Sequence, residues 1–293
     1  MRARLSPLYL AGPTASGKSE LAVLLAERCN GEIVGADAFQ IYHGLDLLTA
    51  KPSLELQTRI PHHLISEIPL SQTFDVAQYL ALAKPRIEEI AARGKTPIIV
   101  GGSGLYLRAL IRGLDPIPPR NATLTAELAG LPLEELQHRL REHDPAAAID
   151  WKNPCRVLRA LEIVLLTGNP LAASRTSWQQ SPAVLGALVT WPREELHARI
   201  DCRVEAMFEA GVVEEVKTAP ALSLTASQTL GFRQIQNLVS GTITRAECIA
   251  TIQQATRQYA KRQGTWFRKE TALRIVPLQN RSLNEAATEI LAS

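Results

Sequence analysis

The segment at residues 12–19, GPTASGKS, restricts the possible folds of this chain more than any other sequence feature. It matches the pattern Gly-x-x-x-x-Gly-Lys-Ser/Thr in full, and it lies between an apolar run at 8–11 and a helical apolar spacing at 18–29. Glycines in such a segment let backbone N–H groups face an anion, and the following helix adds the partial positive charge of its N-terminus. We therefore predict a strand, a phosphate-binding loop and a helix, and we call residues 12–19 the phosphate loop.

The phosphate loop is expected to bind a diphosphate or a triphosphate. The motif alone does not indicate whether that ligand is a nucleotide. Lys18 would contact the outer phosphate oxygens, and the hydroxyl of Ser19 would hold Mg²⁺. The residues of the loop are Gly12, Pro13, Thr14, Ala15, Ser16, Gly17, Lys18 and Ser19.

Short apolar segments alternate with helical patterns along much of the chain. The predicted strands after the phosphate loop are residues 32–36, 97–100, 186–190 and 273–276. A helix is predicted at 74–93, kinked or split by Pro85, and Thr244 and Ser282 each have the spacing of a capping box at a helix start. Strands that alternate with helices indicate a parallel sheet covered on both faces, so we predict an α/β fold with a P-loop NTPase-like parallel sheet core.

The alternation stops at residues 114–120, LDPIPPR, where three prolines form a stiff linker. From 123 to 166 the pattern is helical, and Asn153 before Pro154 suits the start of a helix. We predict that residues 1–119 and 186–293 form the catalytic core and that residues 120–185 form a helical insertion domain.

Two further places are expected at the carboxyl edge of the sheet, where open α/β sheets bind ligands. Asp37 follows the predicted strand 32–36, and the small-residue turn GGSG at 101–104, which we call the glycine turn, follows the strand 97–100. The sequence leaves three roles open for Asp37: an indirect metal ligand, a catalytic base or a solvated loop residue. A hydroxyl in the glycine turn is able to bond a phosphate oxygen.

The chain has 32 Lys and Arg residues against 29 Asp and Glu residues, and its net charge of +3 excludes nucleic-acid binding by bulk charge. Residues 256–269 nevertheless contain five basic residues and no acidic one, and Arg257 and Lys261 share a helix face. Two interpretations of this stripe remain open. It binds an RNA backbone or a phosphate ligand, or it is only a solvated basic face.

The composition, 46% hydrophobic and 21% charged, is that of a globular protein. Four widely spaced cysteines without a Cys-x-x-Cys pair argue against a zinc ribbon or a disulfide framework. No apolar run approaches the roughly 18 residues of a membrane span, and none follows the basic N-terminal residues as in a signal peptide. We expect a cytoplasmic protein with no membrane partner.

Eight segments, in order and spanning nearly the whole chain, together resemble tRNA dimethylallyltransferases of bacterial type, also called tRNA isopentenyltransferases. The combination is specific, although the phosphate loop alone is not. The segments are residues 12–19, 37–42 (DAFQIY), 49–52 (TAKP), 61–64 (PHHL), 101–106 (GGSGLY), 156–162 (RVLRALE), 230–232 (LGF) and 256–267.

The resemblance implies transfer of a dimethylallyl group from dimethylallyl diphosphate to the exocyclic amine of an adenine. That adenine lies immediately 3′ of the anticodon, in tRNAs that read codons beginning with U. The implied cofactor is Mg²⁺, and the implied partner is the anticodon stem-loop of tRNA, bound by a monomeric enzyme whose insertion contacts the RNA.

The resemblance also implies roles for individual residues. Asp37 would accept a proton from the amine, and Ser103 would hydrogen-bond the diphosphate around its leaving oxygen. Lys18, Arg203 and Mg²⁺ would balance the charge on the departing diphosphate. The implied tRNA contacts are Asp37, Ala38, Phe39, Gln40, Arg156, Arg159, Arg257 and Lys261, while His62 and His63 are assigned a structural role.

Five residues differ from the usual family pattern but leave the phosphate loop and Asp37 intact: Ala38 for serine, Leu48 for glycine, Ser103 for threonine, Asn153 for aspartate and Phe232 for tyrosine. One alternative is a small-molecule P-loop kinase whose insertion forms a lid, with Arg139 and Arg141 as its arginines. A second is a non-catalytic RNA-binding module, which the complete phosphate loop and Asp37 argue against.

Overall fold

The computed structural model describes residues 6–174, 184–269 and 272–292. The chain divides into two compact units, one of Met1–Ile111 with Ser181–Ser293 and one of Arg112–Gln180. The second unit begins before the predicted boundary at 120 and ends before the predicted boundary at 185, and each unit has its own apolar core. In the described part of the chain, no helix is both long enough and apolar enough to cross a membrane.

A parallel sheet forms the centre of the first unit and confirms the predicted fold class. Its described strands are β1 Leu8–Ala11, β2 Gly31–Gly35, β3 His62–His63, β4 Thr96–Gly101, β5 Leu185–Thr190 and β6 Arg274–Pro277. The order across the sheet is β3-β2-β4-β1-β5-β6, and every neighbouring pair is parallel. Only the two-residue β3 has no counterpart among the predicted strands, because two polar residues carry no apolar pattern.

The position of β1 explains where a ligand can bind. β1 lies between β4 and β5, with Leu10 opposite both Val100 and Ala187. The chain passes to one side of β1 to form β2 and to the other side to form β5, so the strand order reverses at this point. In open α/β sheets the crevice beyond the carboxyl ends of the strands at such a reversal is the ligand site.

Helices connect the strands and cover the sheet. In chain order the described helices are α1 Lys18–Cys29, α2 Leu54–Arg59, α3 Val76–Ala92, α4 Gly104–Arg112, α5 Ala122–Ala129, α6 Leu133–His143, α7 Pro154–Thr167, α8 Leu171–Ser174, α9 Arg193–Glu209, α10 Val212–Lys217, α11 Phe232–Val239, α12 Arg245–Phe267 and α13 Leu283–Leu291. Leu21 and Leu25 of α1 share an apolar cluster with Ile98, Val189 and Ile290, and this cluster joins α1 and α13 to the sheet.

Local start signals agree with the observed helix starts, whereas one of the two outcomes predicted for Pro85, a split helix, is not observed. Thr244 and Ser282 begin α12 and α13 with complete capping boxes, as predicted. α3 runs without interruption although it contains Pro85, so the predicted split does not occur. Pro85 and Ala81 are exposed, and water can bond the carbonyl that the proline leaves without an N–H partner.

The second unit consists, in its described residues, of the helices α5 to α8 and their connections. Leu136, Leu140, Val157 and Leu161 belong to its apolar cluster. As predicted, Asn153 caps α7, where its side-chain oxygen accepts a hydrogen bond from the N–H of Arg156 at 3.2 Å.

A buried carboxylate joins β2 to its neighbours in the first unit. Glu32 accepts hydrogen bonds from His63 at 2.7 Å, Arg93 at 2.7 Å and Lys95 at 2.8 Å. Burial alone raises the pKa of Glu32, but the bonds from Lys95 and His63 and the charge of Arg93 outweigh it and lower the pKa to about 2. His63 therefore has a structural partner, in agreement with its expected role.

We expect Glu32→Gln to remove a pH-dependent part of the stability. The pKa of Glu32 is lower in the folded state than its ordinary 4.5, so its ionised form stabilises the fold above about pH 4.5, and this contribution is lost as the pH falls towards 2. The shift corresponds to roughly 3 kcal/mol of unfolding free energy near neutral pH. Urea unfolding at several pH values should show wild type and variant converging in acid, whereas Glu88→Gln on the exposed face of α3 should parallel wild type. A constant difference between Glu32→Gln and wild type from neutral pH to acid would contradict the expectation.

Candidate active site

Three turns meet at the carboxyl edge of the sheet. The phosphate loop follows β1, Asp37 follows β2 by two residues, and the glycine turn begins at the end of β4. A hydrogen bond at 3.0 Å from the N–H of Ala38 to Oγ of Ser103 joins the second turn to the third. A cavity of about 690 Å³ opens at this edge, and the phosphate loop from Thr14 to Ser19 and Asp37 form part of its wall.

The phosphate loop keeps its shape because two glycines permit it and two side chains hold its carbonyls. A Cβ on Gly12 would lie 2.5 Å from Cγ2 of Val189, and Gly17 has a φ of 82°, in the left-handed region. Nε1 of Trp191 donates to the carbonyl of Ser16 at 2.9 Å, and Nε of Arg199 donates to the carbonyl of Ala15 at 2.8 Å. These two bonds fix the carbonyls of the loop. The first N–H groups of α1 have no partner within the helix and can therefore bind an anion.

Two cations stand at the phosphate loop. Burial lowers the pKa of Lys18 to about 8; the charge of Asp37 opposes this shift and that of Arg203 adds to it. Arg203 of α9 donates from Nη2 to Oγ1 of Thr14 at 2.7 Å, and burial lowers its pKa to about 10 despite the charge of Asp37. Nε of Arg203 and Oγ of Ser16 are buried and have no hydrogen-bond partner among the described residues. A ligand rich in oxygen atoms would satisfy these donors.

Asp37 has one carboxylate oxygen committed to its own turn. Oδ1 accepts from the N–H groups of Phe39 at 3.0 Å and Gln40 at 3.4 Å, and Oδ2 makes no hydrogen bond within the described part of the chain. Burial, with the charge of Asp37, raises the pKa of the Tyr259 hydroxyl, which interacts with the side chain of Ser103. The structure thus brings together Asp37, Ser103 and the two cations, although they come from four different parts of the sequence.

Part of the cavity wall is apolar. Its apolar side chains include Leu48, Met207, Leu230 and Ile252. A Cβ on Gly231 would lie 2.9 Å from Cδ1 of Leu48, so the glycine allows the backbone to approach this side chain closely. The cavity therefore combines an anion-binding wall with room for a small hydrocarbon group.

Several residues that the resemblance places on tRNA are engaged elsewhere. Nε2 of Gln40 donates to the carbonyls of Thr49 at 3.1 Å and Ala50 at 2.9 Å, so its amide group supports the neighbouring loop, while Gln40 and Phe39 line the cavity. Arg257 forms an ion pair with Asp201, whereas Lys261, one turn further along α12, is exposed.

The two arginines predicted on the insertion also differ. Nη1 of Arg159 donates to Glu162 at 2.6 Å and Nη2 donates to the carbonyl of Pro118 at 2.5 Å. Glu162 is fully buried, and although burial raises its pKa, bonds from Arg159, Thr125 and the N–H of Asn121 lower it overall. Arg159 therefore neutralises a buried acid, while Arg156 is exposed on the same helix.

One buried residue of the site has no predicted role from the sequence. Gln263 of α12 is 6% exposed and bonds both the phosphate loop and the glycine turn. It lies on the helix face that also buries Ile252, Thr256, Ala260 and Phe267. A polar side chain on an otherwise buried helix face is the signal that can identify such a residue, because a buried amide needs partners.

The side chains available at the phosphate loop fit Mg²⁺. The ion is usually bound through one or two carboxylates and the phosphates of a ligand, with water completing the shell. The hydroxyl of Ser19 and the carboxylate of Asp37 both line the cavity next to the buried, unsatisfied donors that call for an oxyanion. No group of three or more His, Cys, Asp or Glu side chains in the described residues forms a metal site independent of a ligand.

The P-loop fold, the two cations Lys18 and Arg203 and a carboxylate at the same sheet edge are typical of an α/β enzyme with a site for a phosphorylated ligand. The family model of IPP transferases matches residues 40–270, and the chain belongs to this family. It is 43% identical to a tRNA dimethylallyltransferase of Akkermansia muciniphila over 92% of both chains, and 42% identical to one of Geobacter sulfurreducens over 92% of this chain and 91% of the relative. The structure of a tRNA isopentenylpyrophosphate transferase from Bacillus halodurans aligns with a TM-score of 0.71 at 34% identity, over 97% of this chain and 94% of the other.

Proposed function

We propose that this protein is a tRNA dimethylallyltransferase. It transfers the dimethylallyl group of dimethylallyl diphosphate to the exocyclic amine of the adenine immediately 3′ of the anticodon, in tRNAs that read codons beginning with U. The observation that carries this proposal is the cavity in which the phosphate loop, Asp37 and apolar side chains such as Leu230 and Met207 share one wall. Membership of the IPP transferase family favours it over a small-molecule kinase.

The reaction exchanges one bond at the first carbon of the dimethylallyl group. The carbon–oxygen bond to the diphosphate breaks, its electron pair leaves with the diphosphate, and the amine nitrogen bonds the carbon. Lys18, Arg203 and the N–H groups of the phosphate loop stabilise the negative charge that develops on the leaving group. Because an allylic carbon tolerates positive charge, stabilisation of the leaving group lowers the barrier directly.

Asp37 accepts the proton that the amine loses. Its Oδ2 is the oxygen without a partner among the described residues, while Oδ1 holds the carboxylate in place through the N–H groups of Phe39 and Gln40. A base held in this way removes the proton as the nitrogen bonds carbon, which compensates for the weak nucleophilicity of an aromatic amine. Ser103, beside Asp37, hydrogen-bonds the diphosphate near its leaving oxygen.

Mg²⁺ would be held by the hydroxyl of Ser19 and would supply further positive charge for the diphosphate. We propose that the enzyme is a monomer in the cytoplasm, where its tRNA substrate is found. The target base must leave its stack before the amine becomes reachable.

Arg156 and Lys261 are the exposed cations that we assign to the RNA backbone. We expect Arg156→Ala to weaken tRNA binding about threefold to tenfold and to reduce the salt slope of binding by about 1, without a change in stability. Arg159→Ala should instead lower the unfolding temperature, because it leaves buried Glu162 without its cation. Filter binding at several salt concentrations checks the first effect, with Arg86→Ala on α3 as the matched control. Unchanged affinity and salt slope for Arg156→Ala would contradict the assignment.

A transfer assay tests the proposed function. Purified protein is mixed with labelled dimethylallyl diphosphate, Mg²⁺ and unmodified tRNA that reads codons beginning with U. Label should enter this tRNA, and a tRNA with another base in place of the adenine 3′ of the anticodon should remain unlabelled. Absence of label together with turnover of ATP would overturn the proposal in favour of a kinase.

A further inference from the structure

The amide group of Gln263 connects two turns that lie far apart in the sequence. Its Oε1 accepts a hydrogen bond at 2.8 Å from the N–H of Thr14 in the phosphate loop. Its Nε2 donates at 3.0 Å to the carbonyl of Gly102 in the glycine turn. Both bonds involve backbone groups, so they set the position of the two turns rather than of flexible side chains.

Gly102 leaves free the space that the Gln263 amide occupies. A Cβ at position 102 would lie 2.4 Å from Nε2 of Gln263, closer than any real Cβ contact, and its next neighbour would be the carbonyl oxygen of Gly12 at 3.3 Å. The absence of a side chain at 102 therefore lets the amide reach both turns. The sequence conceals this dependence, because Gly102 and Gln263 are 161 residues apart.

The two turns carry different parts of the reaction. The phosphate loop holds the leaving group, while the glycine turn carries Ser103, whose Oγ accepts from the N–H of Ala38 directly after Asp37. A shift of one turn against the other changes the distance between the diphosphate and the proton acceptor. Misplacement of reacting groups by about 1 Å is able to lower a rate by about a hundredfold.

We propose that Gln263 is a positioning residue for the transfer reaction. It fixes the position of the phosphate loop relative to the glycine turn. This inference rests on the proposed function. Both polar atoms of the Gln263 amide are engaged by backbone groups and the side chain carries no charge, so we assign it no direct bond to the diphosphate or to the amine. Its loss frees the N–H of Thr14 but leaves Lys18 and Arg203 in place, so the rate of transfer should depend on Gln263 more strongly than the affinity for the diphosphate.

The test combines Gln263→Ala, Gly102→Ala and the double variant in steady-state transfer and diphosphate-binding assays. Each single variant should lower kcat by at least about tenfold while the Kd for dimethylallyl diphosphate changes by less than about threefold. The double variant should be no slower than either single one, because the Cβ at 102 has no amide to displace once residue 263 is alanine. Gln258→Ala, on the exposed face of the same helix, is the control and should match wild type.

Three results would overturn the proposal. An unchanged kcat with a lower unfolding temperature would make Gln263 purely structural. A Kd that rises as much as kcat falls would make it part of the phosphate site. Additive losses in the double variant would show that Gly102 and Gln263 act separately.

Amide hydrogen exchange separates this proposal from the proposed function. In Gln263→Ala the N–H of Thr14 should exchange at least about tenfold faster than in wild type, since its buried acceptor is gone. This measurement needs no turnover. If wild type transfers no dimethylallyl group, the proposed function fails. Unchanged exchange at Thr14 overturns the proposal for Gln263 whether or not the enzyme is active.

Discussion

We expect Asp37→Asn to lower the rate of dimethylallyl transfer about a hundredfold or more, the usual range for loss of a general base, while the enzyme still binds the diphosphate. The substitution removes the charge and the proton-accepting ability of the side chain. It keeps the oxygen that accepts from the N–H groups of Phe39 and Gln40, so the turn should retain its shape. Single-turnover transfer with saturating tRNA measures the chemical step.

A matched aspartate distinguishes this effect from a general loss of charge. Asp75 caps α3 through the N–H groups of Ala77 and Gln78, outside the cavity, and asparagine is an equally good cap. Asp75→Asn should therefore transfer at the wild-type rate. If Asp37→Asn loses diphosphate binding to the same extent as transfer, Asp37 acts through the bound metal ion, and its role as the base is wrong.

Lys18→Met should weaken binding of dimethylallyl diphosphate by about a hundredfold to a thousandfold. Lys18 is the cation at the start of α1 that faces the cavity, and methionine keeps the length of its side chain without the charge. Loss of one partner of a buried charge pair costs about 3–4 kcal/mol, which gives this range of Kd. Calorimetric titration with the diphosphate in the absence of tRNA provides the measurement, and Lys84→Met on the exposed face of α3 is the control.

The pH dependence of the same binding carries the signature of Lys18. Burial lowers the pKa of this ammonium group to about 8, so the free enzyme loses the charge above this pH. The Kd of wild type should then rise about tenfold per pH unit above about pH 8 until the pKa in the complex is passed. Arg203, with a pKa of about 10, remains charged through most of this range. A wild-type Kd that is constant between pH 7 and about pH 9.5, or a Lys18→Met variant that keeps the wild-type pH profile, would contradict this assignment.

The sequence was informative wherever the structural signal is local. The phosphate loop, its strand and its helix are consecutive, so one pattern specifies all three, and the capping boxes at Thr244 and Ser282 act within three residues. The parallel sheet followed from the alternation of elements. Asp37 and the glycine turn were identified because strand ends share one edge of such a sheet.

The partners of charged side chains were not predictable in this way. Arg257 has the spacing of an exposed basic stripe, yet it pairs with Asp201, a residue 56 positions away. Arg159 resembles an RNA-binding residue but neutralises Glu162, because burial of that acid requires a cation beside it. A motif records which residue type is present but does not show which other group the fold places next to it.

The sequence by itself determined that this chain has a phosphate loop in a parallel α/β fold, carries Asp37 at the same sheet edge and resembles tRNA dimethylallyltransferases. Only the tertiary structure decided that Gln263 bonds Thr14, that Arg203 holds the same residue from α9, and that Arg156 rather than Arg159 remains exposed. Local patterns arise from backbone geometry over a few residues. Contacts across 189 or 249 positions depend on how whole helices pack against the sheet.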